Sequence, residues 1–224
     1  MSSENSISNS VIWRLENQQL ILRPDKTAYW PEEKTLIVSD LHIGKVMHFR
    51  RAGFAVPLET VRNNFERLSF ILLNTDIEKV IFLGDLYHSS ENNETALFWE
   101  LLDKFPEISF ILIKGNHDVH NAIHFEKRGM KVYDQLDWGP FSFTHEPKEQ
   151  AEKLFNVAGH IHPAVRLRGK ARGFLKLPCF YFNSWQGVLP AFGAFTGTHS
   201  LSPKKGDQVF VIASEDRVID ISRI

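Results

Sequence analysis

A chain of 224 residues is the length of one generous domain and would make two cramped ones. Hydrophobic residues make up 43% of it, enough for a sizeable core and too many for wholesale disorder. The formal net charge of -1 excludes a broadly basic nucleic-acid binder, so any contact with a polyanion must come from a local patch.

The single cysteine, Cys179, rules out an intrachain disulfide framework and suits a reducing, cytoplasmic setting. Residues 1–10 are polar and carry neither a basic n-region nor an apolar h-region, so they read as a flexible segment and not as a secretory signal. No stretch approaches the roughly 18 apolar residues of a membrane span. The expectation is one soluble domain over 1–224 that does not engage a membrane.

Residues 11–30 read as a hairpin of short strands turning around Asn17. Residues 35–39 (TLIVS) are an apolar, β-branched run, expected as a buried strand that ends on Asp40. Pro57 then opens a helical stripe in which Leu58, Val61, Phe65, Leu68 and Ile71 or Leu72 recur at helical spacing. A second buried strand over 79–83 (KVIFL) ends at Gly84-Asp85. A helix is expected over 94–105, stopping before Pro106. A third buried strand over 108–113 (ISFILI) ends at Gly115-Asn116-His117-Asp118. Beyond it, shorter alternating strands are expected over 141–144, 156–158, 164–167, 179–182, 208–213 and 217–221, separated by Gly and Pro. The first half is thus α/β and the second a β-rich continuation.

The polar residues fall at telling places. Three apolar strands end in Asp40-Leu41-His42, Gly84-Asp85 and Gly115-Asn116-His117-Asp118, and two later ones end in Thr144-His145 and Gly159-His160-Ile161-His162. Ligands of open α/β sheets bind beyond the carboxyl ends of the strands. In an extended segment residues i and i+2 point to one side, so Asp40 with His42, and His160 with His162, can each aim two ligands one way. Carboxylate, imidazole and amide without thiolate suit Mn, Fe, Zn or Mg and argue against a structural Cys-type zinc site. Any one of these pieces alone fits a satisfied polar residue at a strand end; all five in order point to a metal site.

In this pattern the chain resembles the calcineurin-like metallophosphoesterases, whose blocks Asp-x-His, Gly-Asp, Gly-Asn-His-(Asp/Glu), His and Gly-His-x-His are all present over about 36–192. A narrower resemblance, to the bacterial DNA ligase-associated metallophosphoesterases, rests on several segments. They are Ser39-Asp-Leu-His-Ile-Gly-Lys45, His48-Phe-Arg-Arg-Ala-Gly53, Ala158-Gly-His-Ile-His-Pro163, Pro178-Cys-Phe180, Leu189-Pro-Ala-Phe-Gly193 and Phe195-Thr-Gly197. Members of that group are DNA damage response endonucleases.

The resemblance implies a four-layer αββα sandwich of two mixed sheets flanked by helices. It also implies two divalent metal ions, with Mn2+ ahead of Fe, Zn or Mg. One metal would take Asp40, His42, Asp85 and His162, the other Asp85, Asn116, His145 and His160, with Asp85 shared. Such a pair activates a water and clamps the phosphate oxygens. Next to Asn116, His117 would face the leaving group as an acid or hydrogen-bond donor, and Asp118 would hold that imidazole and keep it protonated. The implied reaction is hydrolysis of phosphodiester bonds, in nucleic acid, in functional association with a DNA ligase and a helicase-like protein. A small-molecule phosphoesterase acting on nucleotides, cyclic nucleotides or nucleotide-lipids would use the same metal pair, and so remains the alternative. A non-catalytic module that kept the fold would be expected to have lost ligands.

Further residues have two readings each. His88 touches substrate or is a turn histidine. Arg50 and Arg51 bind a phosphate or lie on a solvated helix start or loop. Arg166, Arg168, Lys170, Arg172 and Lys176 line a nucleic-acid groove or guard an edge strand. His120, His124 and His199 read as surface residues. The aromatics Phe174, Phe180, Tyr181, Phe182, Trp185, Phe192 and Phe195 read as core packing rather than base stacking. Cys179 reads as a structural thiol.

Overall fold

The computed structural model describes residues 9–51, 53, 55, 57, 59–88, 93–168, 173–194 and 196–222, and of Met47, Arg51, Thr60 and Val61 the backbone alone. Residues 1–8, Leu58, Lys170, Arg172 and Phe195, with the side chains of Val61 and Arg51, therefore lie outside the described residues.

The first sheet follows chain order. β1 (Val11–Leu15), β2 (Gln18–Leu22) and β3 (Ala28–Trp30) form an antiparallel meander, and β3 pairs antiparallel with β4 (Thr35–Val38). From β4 the pairing is parallel through β5 (Lys79–Leu83), β6 (Ser109–Ile113) and β7 (Lys131–Tyr133). Parallel neighbours need crossovers. Those are α1 (Lys45–Arg51) and α2 (Glu59–Asn74), then α3 (Asn93–Leu102), then α4 (Ala122–Lys127).

The second sheet holds the rest of the chain. Its strands are β8 (Leu136–Trp138), β9 (Phe141–Phe143), β10 (Phe155–Ala158), β11 (Pro163–Arg168), β12 (Phe174–Phe182), β13 (Gln186–Val188), β14 (His199–Ser200), β15 (Gln208–Ser214) and β16 (Arg217–Asp220). They run in the order β14-β11-β12-β13-β10-β9-β8, with β15 added to β12 and β16 to β15. β10 runs parallel to both its neighbours, β9 and β13.

The two faces of β4 and β5 serve two cores, because strand side chains alternate. Leu36, Val38, Val80 and Phe82 face the helices and meet Leu68, Ile71, Phe98 and Phe125. Ile37, Ile81 and Leu83 face the second sheet and meet Phe141, Phe143, Phe180, Phe182 and Phe210. This double burial is why residues 35–39 and 79–83 carry no alternating polar positions. The molecule is therefore an α/β sandwich of two mixed sheets flanked by helices. Every helix of the described residues follows a strand of the first sheet. On the far face of the second sheet sits a small apolar cluster of Val165, Cys179, Val209 and Val211, beside Leu177, Tyr181 and Ile221.

Several boundaries differ from the sequence reading. α3 ends at Leu102, not 105. β12 begins at Phe174, not 179, and passes straight through Pro178. Proline lacks the donor for a ladder bond, yet here it only faces Ala164 across one rung. α1, α4, β7 and β8 are too short to carry a periodic signal and were not expected. Phe180, Phe182 and Phe192 are core residues, whereas Phe174 is 63% exposed.

Candidate active site

The parallel strands β4, β5 and β6 deliver their C-terminal ends to one rim, and β9 and β10 deliver theirs from the second sheet. The loops after β4 and β5 are joined by backbone bonds from His42 N to Asp85 O (2.9 Å), Ile43 N to Leu86 O (2.8 Å) and His88 N to Ile43 O (2.9 Å).

Asp40, His42, Asp85, His160 and His162 all have positive φ, between 48° and 66°. The extended i, i+2 geometry expected for Asp40 with His42 and for His160 with His162 is thus replaced by left-handed turns. Non-glycine residues occupy this region at a cost and cluster at functional sites. The loops also pack without room to spare. A Cβ on Gly159 would collide with Ser39 Oγ and Asp40 Oδ2, and one on Gly84 with the His145 ring.

The side chains converge in two groups, Asp40 with His42 and His162, and Asp85 with His145 and His160; within each group the candidate donor atoms lie within 4.8 Å of one another. His162 Nε2 is 3.2 Å from Asp40 Oδ1, and His42 Nε2 is 3.4 Å from His162 Nε2. In the other group His145 Nε2 is 3.5 Å from Asp85 Oδ1 and 3.0 Å from His160 Nδ1. Asp85 Oδ2 lies 3.9 Å from His42 Nε2, so Asp85 stands between the groups.

The surrounding bonds fix which atoms are left to bind. His162 Nδ1 donates to Gly197 O (3.0 Å) and His145 Nδ1 to Leu83 O (2.8 Å). A carbonyl only accepts, so each Nε2 holds a lone pair. Asp40 Oδ2 accepts from Ser39 Oγ and from His160 N (2.9 Å), while its buried Oδ1 has no hydrogen-bond partner. Burial pushes the Asp40 carboxyl up, but His162, His145 and Ser39 hold it below the usual range. Burial, then Lys45, lowers His42 to about 3, so that imidazole is neutral at pH 7. Asp40 Oδ1 and His162 Nε2 are acceptors facing one another with His42 Nε2 beside them, an arrangement that a cation satisfies at all three atoms. The donor set of nitrogen and oxygen atoms fits a divalent metal.

Asn116 Nδ2 donates to Glu146 Oε1 (2.8 Å), which turns the amide oxygen away from that partner. His117 N donates to Asp85 Oδ1 (3.1 Å), and the His117 ring lies exposed, 4.9 Å from His88 and 5.9 Å from His42. Asp118 corrects the sequence expectation. Its carboxylate does not hold His117; it is fully buried and accepts from the backbone of Leu86 (3.2 Å), Tyr87 (3.1 Å) and Gly115 (3.0 Å). Burial still pushes it up to about 6 against those three bonds. Asp118 therefore clamps the β5 and β6 loops together.

His88 does reach the rim, half-buried, with its ring 5.6 Å from His42 and lowered to about 4 by burial and then by Lys45, His117 and His48. Arg50 is exposed on α1, the helix that also carries His48, while the Arg51 side chain lies outside the described residues. Four contributors escaped the sequence reading of roles. Ser39 and Glu146 orient ligands, His48 meets His88 edge to face at 5.4 Å, and buried Glu94 accepts from Gly44 N (2.8 Å) at the start of α1. Ser39 and Glu146 each adjoin a ligand in sequence, the one signal that could have found them.

The chain belongs to the calcineurin-like phosphoesterase family, whose model matches residues 33–194. It is accordingly a metal-dependent hydrolase of phosphoester bonds, and the family works with divalent metal ions. Among solved structures, the chain is similar to the nuclease MPE of Pseudomonas putida. The two are 30% identical with a TM-score of 0.80, over 95% of this chain and 100% of that one. None of the curated proteins compared with the chain matches it. No helix of the described residues is long and apolar enough to cross a membrane.

Proposed function

We propose that this protein cleaves phosphodiester bonds in nucleic acid in the cytoplasm. One divalent cation would be held by Asp40, His42, Asp85 and His162 and a second by Asp85, Asn116, His145 and His160, with Mn2+ the ion of first choice. The observation that carries the substrate class is the likeness to a nuclease over 95% of the chain. The cation pair, when bound, supplies an activated water and neutralises the phosphate charge.

The chain's own residues do the rest. Ser39 and the His160 amide occupy Asp40 Oδ2 and leave Oδ1 for the metal. The Gly197 and Leu83 carbonyls set the tautomers of His162 and His145. His117, exposed beside His42, donates to the leaving oxygen, and His88 and Arg50 contact the flanking phosphate. The neutral His42 imidazole suits the site, since a ligand that kept a proton on its coordinating nitrogen would compete with the cation.

A panel of single-stranded DNA, duplex DNA, RNA and nucleotides, each supplied with Mn2+, tests the reading. Cleavage within a polynucleotide supports it; turnover confined to nucleotides or cyclic nucleotides overturns it. The family resemblance extends this reading to an enzyme that works beside a DNA ligase and a helicase-like protein, and the near-neutral charge fits an enzyme brought to duplex by others. Tight duplex binding by the isolated protein with a steep salt slope would contradict that part.

A further inference from the structure

One surface next to the site has no role in metal binding and no partner in the core. β11 starts at Pro163, immediately after His162, and pairs with β12 through Ala164↔Pro178, Val165↔Leu177, Arg166↔Lys176, Leu167↔Leu175 and Arg168↔Phe174. β14 reaches only Pro163 and Ala164, and β15 reaches β12 only from Cys179 onward. Among the described residues the outer rungs therefore form a two-stranded arm with no further strand paired to its edges.

Strand alternation gives the arm two unlike faces. Val165, Leu167 and Leu177 pack with Cys179, Val209 and Val211, and Leu175, opposite Leu167, is exposed beyond them. The other face presents Arg166, Arg168, Lys176 and Phe174, all exposed, with no acid among them. Phe174 is 63% exposed, and the Arg166 guanidinium lies over its ring at 5.0 Å. Guarding an edge strand needs charges alone; it does not account for an exposed aromatic ring set among them. The charged face also lies toward the site. Lys176 Nζ donates to Thr198 O, and the neighbouring Gly197 O accepts from His162 Nδ1.

We infer that this face is a strand-binding arm: Arg166 and Arg168 take phosphates beside the scissile one, and a base stacks on Phe174. The inference rests on the nucleic-acid reading above and names the residues that would separate a polynucleotide from a small ester. Arg166 and Arg168 are two strand residues apart, roughly 7 Å, a spacing that suits successive phosphates of an extended strand. Aromatic platforms flanked by cations are the usual means of holding unpaired bases.

The test compares Mn2+-loaded wild type with Arg166→Ala/Arg168→Ala, Phe174→Ala and Phe174→Trp on a short oligonucleotide and on a bis-aryl phosphodiester. All three side chains are exposed, so the fold is not challenged. For the double variant the oligonucleotide KM rises at least about tenfold, and the log–log salt slope of binding falls by about 1.4. Phe174→Ala raises KM about tenfold with the slope kept, and Phe174→Trp restores it. The bis-aryl ester is turned over at the wild-type rate throughout. Unchanged oligonucleotide KM and slope in the variants would remove the arm alone, as would an equal loss on both substrates. A wild type that hydrolyses the bis-aryl ester and no oligonucleotide removes the nucleic-acid reading, and the arm with it.

Discussion

His117 and Asp118 are neighbours with opposite fates. One ring is exposed at the rim, the other carboxylate fully buried under three amides. Because His117 touches the Asp85 group only through its backbone N–H, His117→Ala should keep the metal stoichiometry and lower kcat by about 10²–10⁴. Metal analysis beside steady-state kinetics checks this, and an unchanged kcat in the metal-loaded variant would end the proposed donor role. Glu146 makes the complementary case. It accepts from Asn116 Nδ2 and so aims the amide. Glu146→Ala should weaken the second Mn2+ by about 10- to 100-fold, as read by calorimetric metal titration, with little change in the Tm of the metal-free protein. The six Asp and His candidates that converge in two groups could be singled out at this scale, because each follows an apolar run, whereas Asn116 stays a proposed ligand. What was not legible is direction. Sequence adjacency suggested that Asp118 serves His117, whereas the turn at 115–118 folds its carboxylate back onto two loops.

Elements were legible in proportion to how completely they are buried. β4, β5 and β6 were found to within a residue since both faces of each are covered. The left-handed ligand turns were invisible because nothing but Gly announces a positive φ, and here Asp and His adopt it. The turn between β2 and β3 shows a second such position. Lys26, at φ 69°, lines a pocket with Arg67 of α2. Burial, then the charge of Arg67, lowers its amine from 10.5 to about 8. The folded state therefore binds fewer protons than the unfolded one between about pH 8 and 10.5. The cost of the buried charge is fully present below that window and is relieved as the pH rises through it. Lys26→Met should stabilise the protein at pH 7, and its advantage over wild type should shrink steadily toward pH 10.5. Denaturant midpoints across that range measure the effect; a constant difference would show that the ammonium is not desolvated.

At the scale of the whole molecule, the candidate ligands are divided between the two sheets. Asp40, His42, Asp85 and Asn116 follow strands of the first, and His145, His160 and His162 follow strands of the second. Each cation would thus join one layer to the other, across a rim whose buried acceptors otherwise face one another. Asp40 Oδ1 and His162 Nε2, 3.2 Å apart, come from different sheets and repel when both are unprotonated. Binding to the native state alone adds about 2.7 kcal/mol of stability at a hundredfold excess over Kd. The Tm should therefore climb with Mn2+ concentration and fall after chelation. Hydrogen exchange in the chelated protein should quicken at 39–44 and 159–163, where the two sheets meet, before it quickens in β5 or β6. His162→Ala should remove one cation's share of the Mn2+-dependent rise, because it deletes the second sheet's contribution to that cation. A Tm indifferent to Mn2+ would mean that the sandwich closes its rim without the metals, and that the paired acceptors are held apart by packing alone.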